Sequence, residues 1–305
     1  MQLSRRTALA ALCAAPLAAQ DKKGALPYPP QLDGARAEVY KTIGEVKLSL
    51  WLYAPNGHRP SAKLPAILFF FGGGWTNGNP KQFEQQCKHL SSRGMVAITA
   101  DYRVASRHKV HVVECIRDAK SAVRWVRANA RRLGIDPDRI AAGGGSAGGH
   151  IAAAAGVIEG LEEQGENLRI SSRPNALVLF NPALVLAAAP EIGAATESFA
   201  PFADRFGAAP QAISPYHHVR KGDPPAIIFH GKSDTTVPYR YAEAFAQKMR
   251  EAGNRCELEG YEGQTHGFFN FGRGDNEYFH KTLKRADEFL VSMGYIKSPS
   301  QSVAH

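Results

Sequence analysis

The most informative segment of the sequence is Gly144-Gly145-Ser146-Ala147-Gly148. It follows the apolar residues Ile140-Ala141-Ala142 and precedes a small-residue stretch at 150–155, so Ser146 is predicted to lie where a strand turns into a helix. Glycines are needed there because the serine takes a strained backbone conformation and neighbouring side chains would collide across the turn. The pattern G-x-S-x-G at such a corner is a nucleophile elbow, which exposes the serine hydroxyl at the start of a helix.

Short apolar runs on either side of this corner predict the rest of the sheet. Runs at 66–71, 96–100, 176–180 and 226–229 are apolar on both faces, which is typical of strands covered on both sides. Residues 47–53 instead alternate between apolar and polar, and we expect them to pair antiparallel with residues 37–42. Apolar residues three and four positions apart predict helices at 116–133 and 279–293. The fold class is therefore α/β, with a mostly parallel central sheet flanked by helices and antiparallel strands at the N-terminus.

The domain organisation follows from the 305-residue length and from the two ends of the chain. Residues 1–20 are predicted to be an export signal, because Arg5 and Arg6 precede a short Ala/Leu-rich run. The two arginines resemble the twin-arginine type of signal. That run is too short for a stable membrane span, and we expect a periplasmic or extracellular bacterial protein. The remaining divisions are a linker at 21–36, a single catalytic domain at 37–296 with a small cap at about 182–219, and a tail at 297–305.

Charge and cysteine content argue against several other classes of protein. The formal net charge is +9, but the basic residues are scattered among acidic ones, so no nucleic-acid partner is expected. Once the signal is removed, Cys87, Cys115 and Cys256 remain, an odd number without the close spacing of a metal site or a disulfide framework. We expect neither a metal nor a cofactor.

The same elbow also satisfies the dinucleotide-binding pattern G-x-G-x-x-G through Gly143, Gly145 and Gly148. A dinucleotide site would need an acidic residue about 20 positions later, at the end of the next strand. Glu166 has that spacing but lies in a polar stretch before the next apolar run. The cofactor interpretation is therefore the less favoured one.

A second glycine-rich segment, Phe71-Gly72-Gly73-Gly74-Trp75, comes directly after the most apolar strand. Its backbone N–H groups, together with that of Ala147, could stabilise the negative oxygen of a tetrahedral intermediate. A plain turn is the alternative, but two residues would suffice for a turn and three consecutive glycines cost entropy. The pattern favours an oxyanion loop.

Asp234 and His266 complete the candidate site. Asp234 follows the apolar run at 226–229, and His266 follows a strand-like run at 256–261. Residues at the carboxyl ends of parallel strands share one edge of the sheet, so Ser146, Asp234 and His266 are expected to meet there. A single histidine is more often structural, but the chain order Ser, Asp, His fits a nucleophile, an orienting acid and a general base.

These segments together resemble the esterase and lipase branch of the α/β-hydrolases, including the hormone-sensitive-lipase-like and the acetylxylan or feruloyl esterase-like groups. The resemblance covers about residues 38–293 and also rests on Asp101-Tyr102-Arg103 and His266-Gly267-Phe268. It implies a serine carboxylic-ester hydrolase that forms an acyl-enzyme on Ser146, with short-chain or carbohydrate-linked acyl esters as substrates. The alternative is a serine amidase, peptidase or formamidase on the same fold, and a non-catalytic binding module would need a broken triad.

The resemblance also assigns roles within the oxyanion loop. It implies Gly73, Gly74 and Ala147 as the oxyanion donors. The family usually has His-Gly-Gly-Gly, whereas Phe71 stands here in place of the histidine, so hydrogen bonds made by that histidine would be lost. Trp75 is expected to bind substrate, shaping the acyl or alcohol pocket with three phenylalanines of the cap: Phe199, Phe202 and Phe206.

Overall fold

The computed structural model describes residues 27–194 and 203–298. They form an eight-stranded sheet in the order β1-β2-β4-β3-β5-β6-β7-β8. The strands are β1 (Arg36–Ile43), β2 (Val46–Tyr53), β3 (Leu64–Phe70), β4 (Val96–Ala100), β5 (Ile135–Gly145), β6 (Ala176–Phe180), β7 (Ala226–Gly231) and β8 (Cys256–Tyr261). The helices are α1 (Glu84–Ser92), α2 (Ala105–His108), α3 (Val112–Ala128), α4 (Ala130–Leu133), α5 (Ala147–Val157), α6 (Ala203–Phe206), α7 (Tyr239–Glu251) and α8 (Glu277–Ser292).

The pairing of the strands confirms the predicted α/β fold. β1 pairs antiparallel with β2, and β2 pairs antiparallel with β4. All other neighbours, from β4 through β3 to β8, run parallel. The carboxyl ends of β3, β5, β6, β7 and β8 therefore lie along one edge, which is where an open α/β sheet builds its site.

One predicted helix is shorter than its apolar pattern suggested. The pattern continues to Leu133, but α3 ends at Ala128 and the short α4 follows Asn129. The Asn129 side chain donates to the carbonyl oxygen of Trp125 at 2.9 Å and so competes for a backbone acceptor near the helix end. The prediction of one continuous helix was wrong, although both pieces bury the predicted face.

Two apolar cores lie on opposite faces of the sheet. The larger one is covered by α3, α5 and α7, and includes Leu68, Ile116 and Phe245. The smaller one is covered by α1 and α8 and is rich in aromatic rings, with Phe69 stacked on Phe83 at a centroid distance of 4.8 Å. A sheet buried on both faces explains why its central strands are continuous apolar runs.

The connector before β1 packs onto the domain. Leu32 is buried, and the Tyr28 hydroxyl donates a hydrogen bond to the buried carboxylate of Asp101. The Arg107 guanidinium lies 3.9 Å from the centre of the Tyr28 ring, a cation–π arrangement. Within residues 27–194 and 203–298, no helix has the length and apolar character needed to cross a membrane.

Candidate active site

Ser146 lies at a strained corner between β5 and α5. Its backbone has φ 54° and ψ −118°, a conformation that residues other than glycine rarely adopt. A Cβ atom added at Gly148 would lie 2.0 Å from the Phe70 carbonyl oxygen, and one added at Gly144 would lie 2.5 Å from the same atom. The elbow therefore requires glycines because α5 passes directly against the end of β3.

The structure brings Ser146, His266 and Asp234 together in one hydrogen-bonded line. His266 Nε2 lies 3.0 Å from Ser146 Oγ, and His266 Nδ1 lies 2.7 Å from Asp234 Oδ2. The acceptor-only carboxylate places the imidazole proton on Nδ1, which leaves the Nε2 lone pair facing the serine hydroxyl. This geometry suits proton abstraction from Ser146.

Asp234 is held ionised by its surroundings. Burial alone would raise the pKa of this carboxyl group, but hydrogen bonds from His230 and His266 hold the pKa well below its usual range. Its Oδ1 also accepts the N–H groups of Thr236 and Val237, each at 2.9 Å. The acid is therefore a fixed negative charge facing the imidazole.

The glycine loop after β3 leaves backbone donors free beside the elbow. Gly73 has φ 129° and Gly74 has φ 60°, both unfavourable for residues with side chains. In the described part of the chain, the N–H groups of Gly73, Gly74 and Ala147 meet no acceptor. A Cβ atom added at Gly72 would lie 3.4 Å from the Ser146 Cβ, so the loop runs directly alongside the serine.

Phe71 stands where the family usually has a histidine, and packing and hydrogen bonds around it hold the glycine loop in place. Phe71 is fully buried and stacks on Tyr102 at a centroid distance of 4.2 Å. The Tyr102 hydroxyl donates to the Phe71 carbonyl oxygen at 2.8 Å. From α6, Arg205 donates to the Gly74 carbonyl oxygen and to the Thr76 hydroxyl. Packing and these hydrogen bonds position the loop in this chain.

Trp75 faces the interior rather than an open pocket. It is 9% exposed, and its indole N–H donates to His150 Nδ1 at 3.1 Å. His150 is fully buried and its Nε2 donates to the Ile213 carbonyl oxygen at 2.7 Å. Phe206 is also buried, while the predicted pocket residues Phe199 and Phe202 lie outside the described residues. Substrate binding by Trp75 stays a prediction.

Several polar residues of the site did not stand out in the sequence. The Asn181 side chain accepts the Gly267 N–H at 3.2 Å, and its Nδ2 lies 3.5 Å from His266 Nε2. Asn181 comes immediately after β6, so the rule that inspects residues at strand ends would have found it. His230, on the strand before Asp234, lies with its Nε2 at 3.3 Å from Asp234 Oδ2.

Arg103 of the Asp101-Tyr102-Arg103 motif and the three cysteines contribute to the packing of the fold. Arg103 forms two hydrogen bonds of 2.8 Å with the buried Asp118 carboxylate, which anchors the segment after β4 to α3. Cys87, Cys115 and Cys256 are free and buried. Within residues 27–194 and 203–298, no three His, Cys, Asp or Glu side chains form a group that could hold a metal ion.

Comparison with known proteins gives consistent results. The BD-FAE family model matches residues 50–249. Esterase LipC of Mycobacterium tuberculosis is 28% identical over 226 residues, which is 68% of this chain and 54% of LipC. A probable isoprenylcysteine alpha-carbonyl methylesterase of Arabidopsis thaliana, ICMEL1, is 27% identical over 76% of this chain and 50% of its own length. The chain thus spans about half the length of these curated relatives.

Solved structures of Thermogutta terrifontis esterase 2 are similar over their whole length. The form phosphorylated by paraoxon has a TM-score of 0.84 and 51% identity, covering 90% of this chain and 100% of that one. The propionate-bound form has a TM-score of 0.85 and 52% identity, covering 90% of this chain and 99% of that one. Fold, elbow and family model agree, and the chain belongs to the BD-FAE family of α/β-hydrolases.

Proposed function

We propose that this protein is a serine carboxylic-ester hydrolase that cleaves short-chain acyl esters through an acyl-enzyme on Ser146. The observation that carries the proposal is the hydrogen-bonded line from Asp234 through His266 to the Ser146 hydroxyl. It stands beside backbone donors that have no other acceptor, which is the combination that acyl transfer needs.

In the first half of the reaction, His266 Nε2 takes the proton of Ser146 as its oxygen attacks the ester carbonyl carbon. The carbonyl oxygen becomes negatively charged and receives hydrogen bonds from the N–H groups of Gly73, Gly74 and Ala147. The C–O bond to the alcohol then breaks, and His266 gives its proton to the departing alkoxide. Asp234 stabilises the imidazolium while it carries that proton.

In the second half, water replaces the alcohol beside His266. The imidazole removes a proton from the water, whose oxygen attacks the acyl carbon, and the same donors hold the second oxyanion. Collapse of this intermediate breaks the bond to Ser146, which regains its proton from His266. The products are a carboxylic acid and a free enzyme.

The acyl preference draws support from the esterase of T. terrifontis. That enzyme was solved with propionate and with butyrate bound, which are small carboxylic acids. Its forms phosphorylated by organophosphates are what a nucleophilic serine would give. A short acyl group, carried by a small alcohol or by a carbohydrate, is therefore the proposed substrate class.

The test is hydrolysis of p-nitrophenyl esters from acetate to octanoate by the full chain and by Ser146→Ala. We expect turnover that is greatest for the short acyl groups and is abolished in the variant. Ser92→Ala, which alters an exposed serine on α1, serves as the matched control and should keep wild-type activity. A folded wild type that cleaves p-nitroanilides but no ester would instead establish the amidase.

A second assay addresses the alcohol side. Release of acetate from acetylated xylan, compared with release from p-nitrophenyl acetate, tests the carbohydrate-linked class. Activity on the small ester alone would restrict the proposal to simple short-chain esters.

The proposed place of action is outside the cytoplasm. The predicted signal at residues 1–20 lies outside the described residues, so the support is the sequence alone. The full chain expressed in a bacterium should be recovered from the periplasm or the medium, and replacing Arg5 and Arg6 by lysine should retain it in the cytoplasm. Export of the lysine variant would contradict the twin-arginine route, and a cytoplasmic wild type would contradict export.

A further inference from the structure

Three consecutive hydrogen bonds connect the oxyanion loop with the loop that carries His266. The Gly72 N–H donates to Gln82 Oε1 at 2.7 Å, and Gln82 Nε2 donates to Asn270 Oδ1 at 2.8 Å. Asn270 Nδ2 then donates to the Gly267 carbonyl oxygen at 2.9 Å. Since Gly72 precedes the oxyanion donors and Gly267 follows His266, these bonds link the two parts of the site that must act together.

The direction of every bond is fixed by chemistry. A backbone N–H can only donate, so the Gln82 atom that faces Gly72 must be the amide oxygen. The Gln82 nitrogen is then left to face Asn270, whose oxygen accepts and whose nitrogen donates onward to a carbonyl. Neither amide can flip without losing two hydrogen bonds at once.

Gln82 itself is held firmly. It lies on the short 3-10 helix Pro80–Phe83, whose N-terminus is capped by the Asn79 side chain. Phe83, the next residue, is fully buried among the rings of the smaller core. A Cβ atom added at Gly145 would lie 3.6 Å from Gln82 Nε2, so the amide also lies against the elbow. The bridge is therefore anchored independently of the two loops that it joins.

The loop needs such an anchor because it contains three consecutive glycines and lacks the usual histidine. The Gly72 N–H is the donor nearest the start of the loop, and Gln82 removes it from competition for the oxyanion. A Gly72 amide without this acceptor would turn towards water, and the peptide planes of the next two glycines would turn with it.

We propose that Gln82 is a positioning residue which, through Gly72 and Asn270, holds the oxyanion loop and His266 at the separation that the tetrahedral intermediate requires. This inference rests on the proposed function. Gln82 has no contact with substrate in this role and acts on the rate through the groups that it holds.

The test is a double-mutant cycle of Gln82→Met and Asn270→Leu, assayed with p-nitrophenyl acetate and by thermal unfolding. Each single variant should lower kcat by about 10- to 100-fold with KM nearly unchanged, because misplacing the donors weakens transition-state binding alone. The double variant should be about as slow as the slower single variant, because either change already breaks the bridge.

Gln86→Met is the matched control. Gln86 lies on α1, and its buried amide atoms have no partner among the described residues, so its loss should leave kcat unchanged. Wild-type kcat in a folded Gln82→Met protein would overturn the proposal, as would losses that simply multiply in the double variant. If Gln82→Met does not fold, Gln82→Glu replaces it in the cycle, since it keeps the acceptor for Gly72 and loses the donor to Asn270. Multiplying losses in that cycle would again overturn the proposal.

The two proposals fail in different ways. A wild type that hydrolyses no ester contradicts the proposed function. An active wild type whose kcat survives Gln82→Met contradicts only the role of Gln82.

Discussion

Gly148→Ala tests whether the elbow is set by the contact between α5 and β3. The added Cβ atom would lie 2.0 Å from the Phe70 carbonyl oxygen and 2.4 Å from that of Phe71. Real Cβ contacts essentially never fall below 3.0 Å, so the first residues of α5 must move away from β3 by about 1 Å. Both neighbours are backbone atoms, one in the last residue of β3 and one in the residue that follows it, and they cannot move aside as a side chain would.

The expected cost combines two terms of opposite sign. Overpacking of this kind costs about 1–3 kcal/mol and sometimes more. The gain from replacing a helical glycine by alanine is at most about 1 kcal/mol. We therefore expect the free energy of unfolding to fall by about 2 kcal/mol. A shift of about 1 Å in Ser146 relative to the glycine loop should also lower kcat/KM by about 100-fold.

Gly156→Ala provides the control for this experiment. It makes the same change in the same helix, but its Cβ would meet a movable side-chain atom of Leu177 at 3.1 Å. Urea unfolding and p-nitrophenyl acetate hydrolysis of both variants separate the contact from the residue type. A Gly148→Ala protein as stable and as active as Gly156→Ala would show that the contact between α5 and the end of β3 does not set the elbow.

Two further predictions concern titratable side chains, Asp234 and His150. Asp234→Asn should lower kcat by about 10⁴-fold, because the neutral amide no longer fixes the His266 tautomer or stabilises its cation. Asp287→Asn, which alters a His–Asp pair at the surface with His89, should leave kcat unchanged in the same assay. Burial lowers the pKa of His150 from 6.5 to about 4, against a smaller raising effect of its hydrogen bond to Ile213. The unfolded chain therefore binds a proton between pH 6.5 and 4 that the folded chain does not, so stability falls as the pH falls through this window. In urea unfolding, the free energy of unfolding should fall between pH 6.5 and about 4 by about 3 kcal/mol more in the wild type than in His150→Gln. Equal pH dependence in the two proteins would contradict this.

The fold and the positions of Ser146, Asp234 and His266 were predictable because they depend on local pattern. Apolar runs identify the strands, and parallel strands bring their carboxyl ends to one edge. Residues 120 and 32 positions apart in the chain therefore meet without any knowledge of their contacts. The elbow glycines were predictable for the same reason, since the turn itself demands them.

The surroundings of Trp75 were not predictable from such patterns. A large aromatic residue next to an oxyanion loop suggested a pocket wall, but its indole N–H has found a buried partner in His150. Trp75 and His150 are 75 positions apart in the chain, and no periodic pattern in the sequence indicates that they meet. Burying an indole requires a partner for its N–H, and only the packed structure shows which one is within reach.

The same argument explains how this chain manages without the usual histidine of the oxyanion loop. The sequence shows that Phe71 has replaced it, but not what fixes the loop instead. In the structure, Phe71 packs on Tyr102, and the loop is also held at Gly72 by Gln82, whose partner Asn270 lies 188 residues away. An apolar side chain at position 71 can hold the loop only by packing, because it has no hydrogen-bonding group. The hydrogen bond that fixes the orientation of the loop's peptide planes must therefore come from another residue. The Gln82 amide supplies it at the first glycine, while the N–H groups of Gly73 and Gly74 have no acceptor among the described residues, as the proposed role in binding the oxyanion requires.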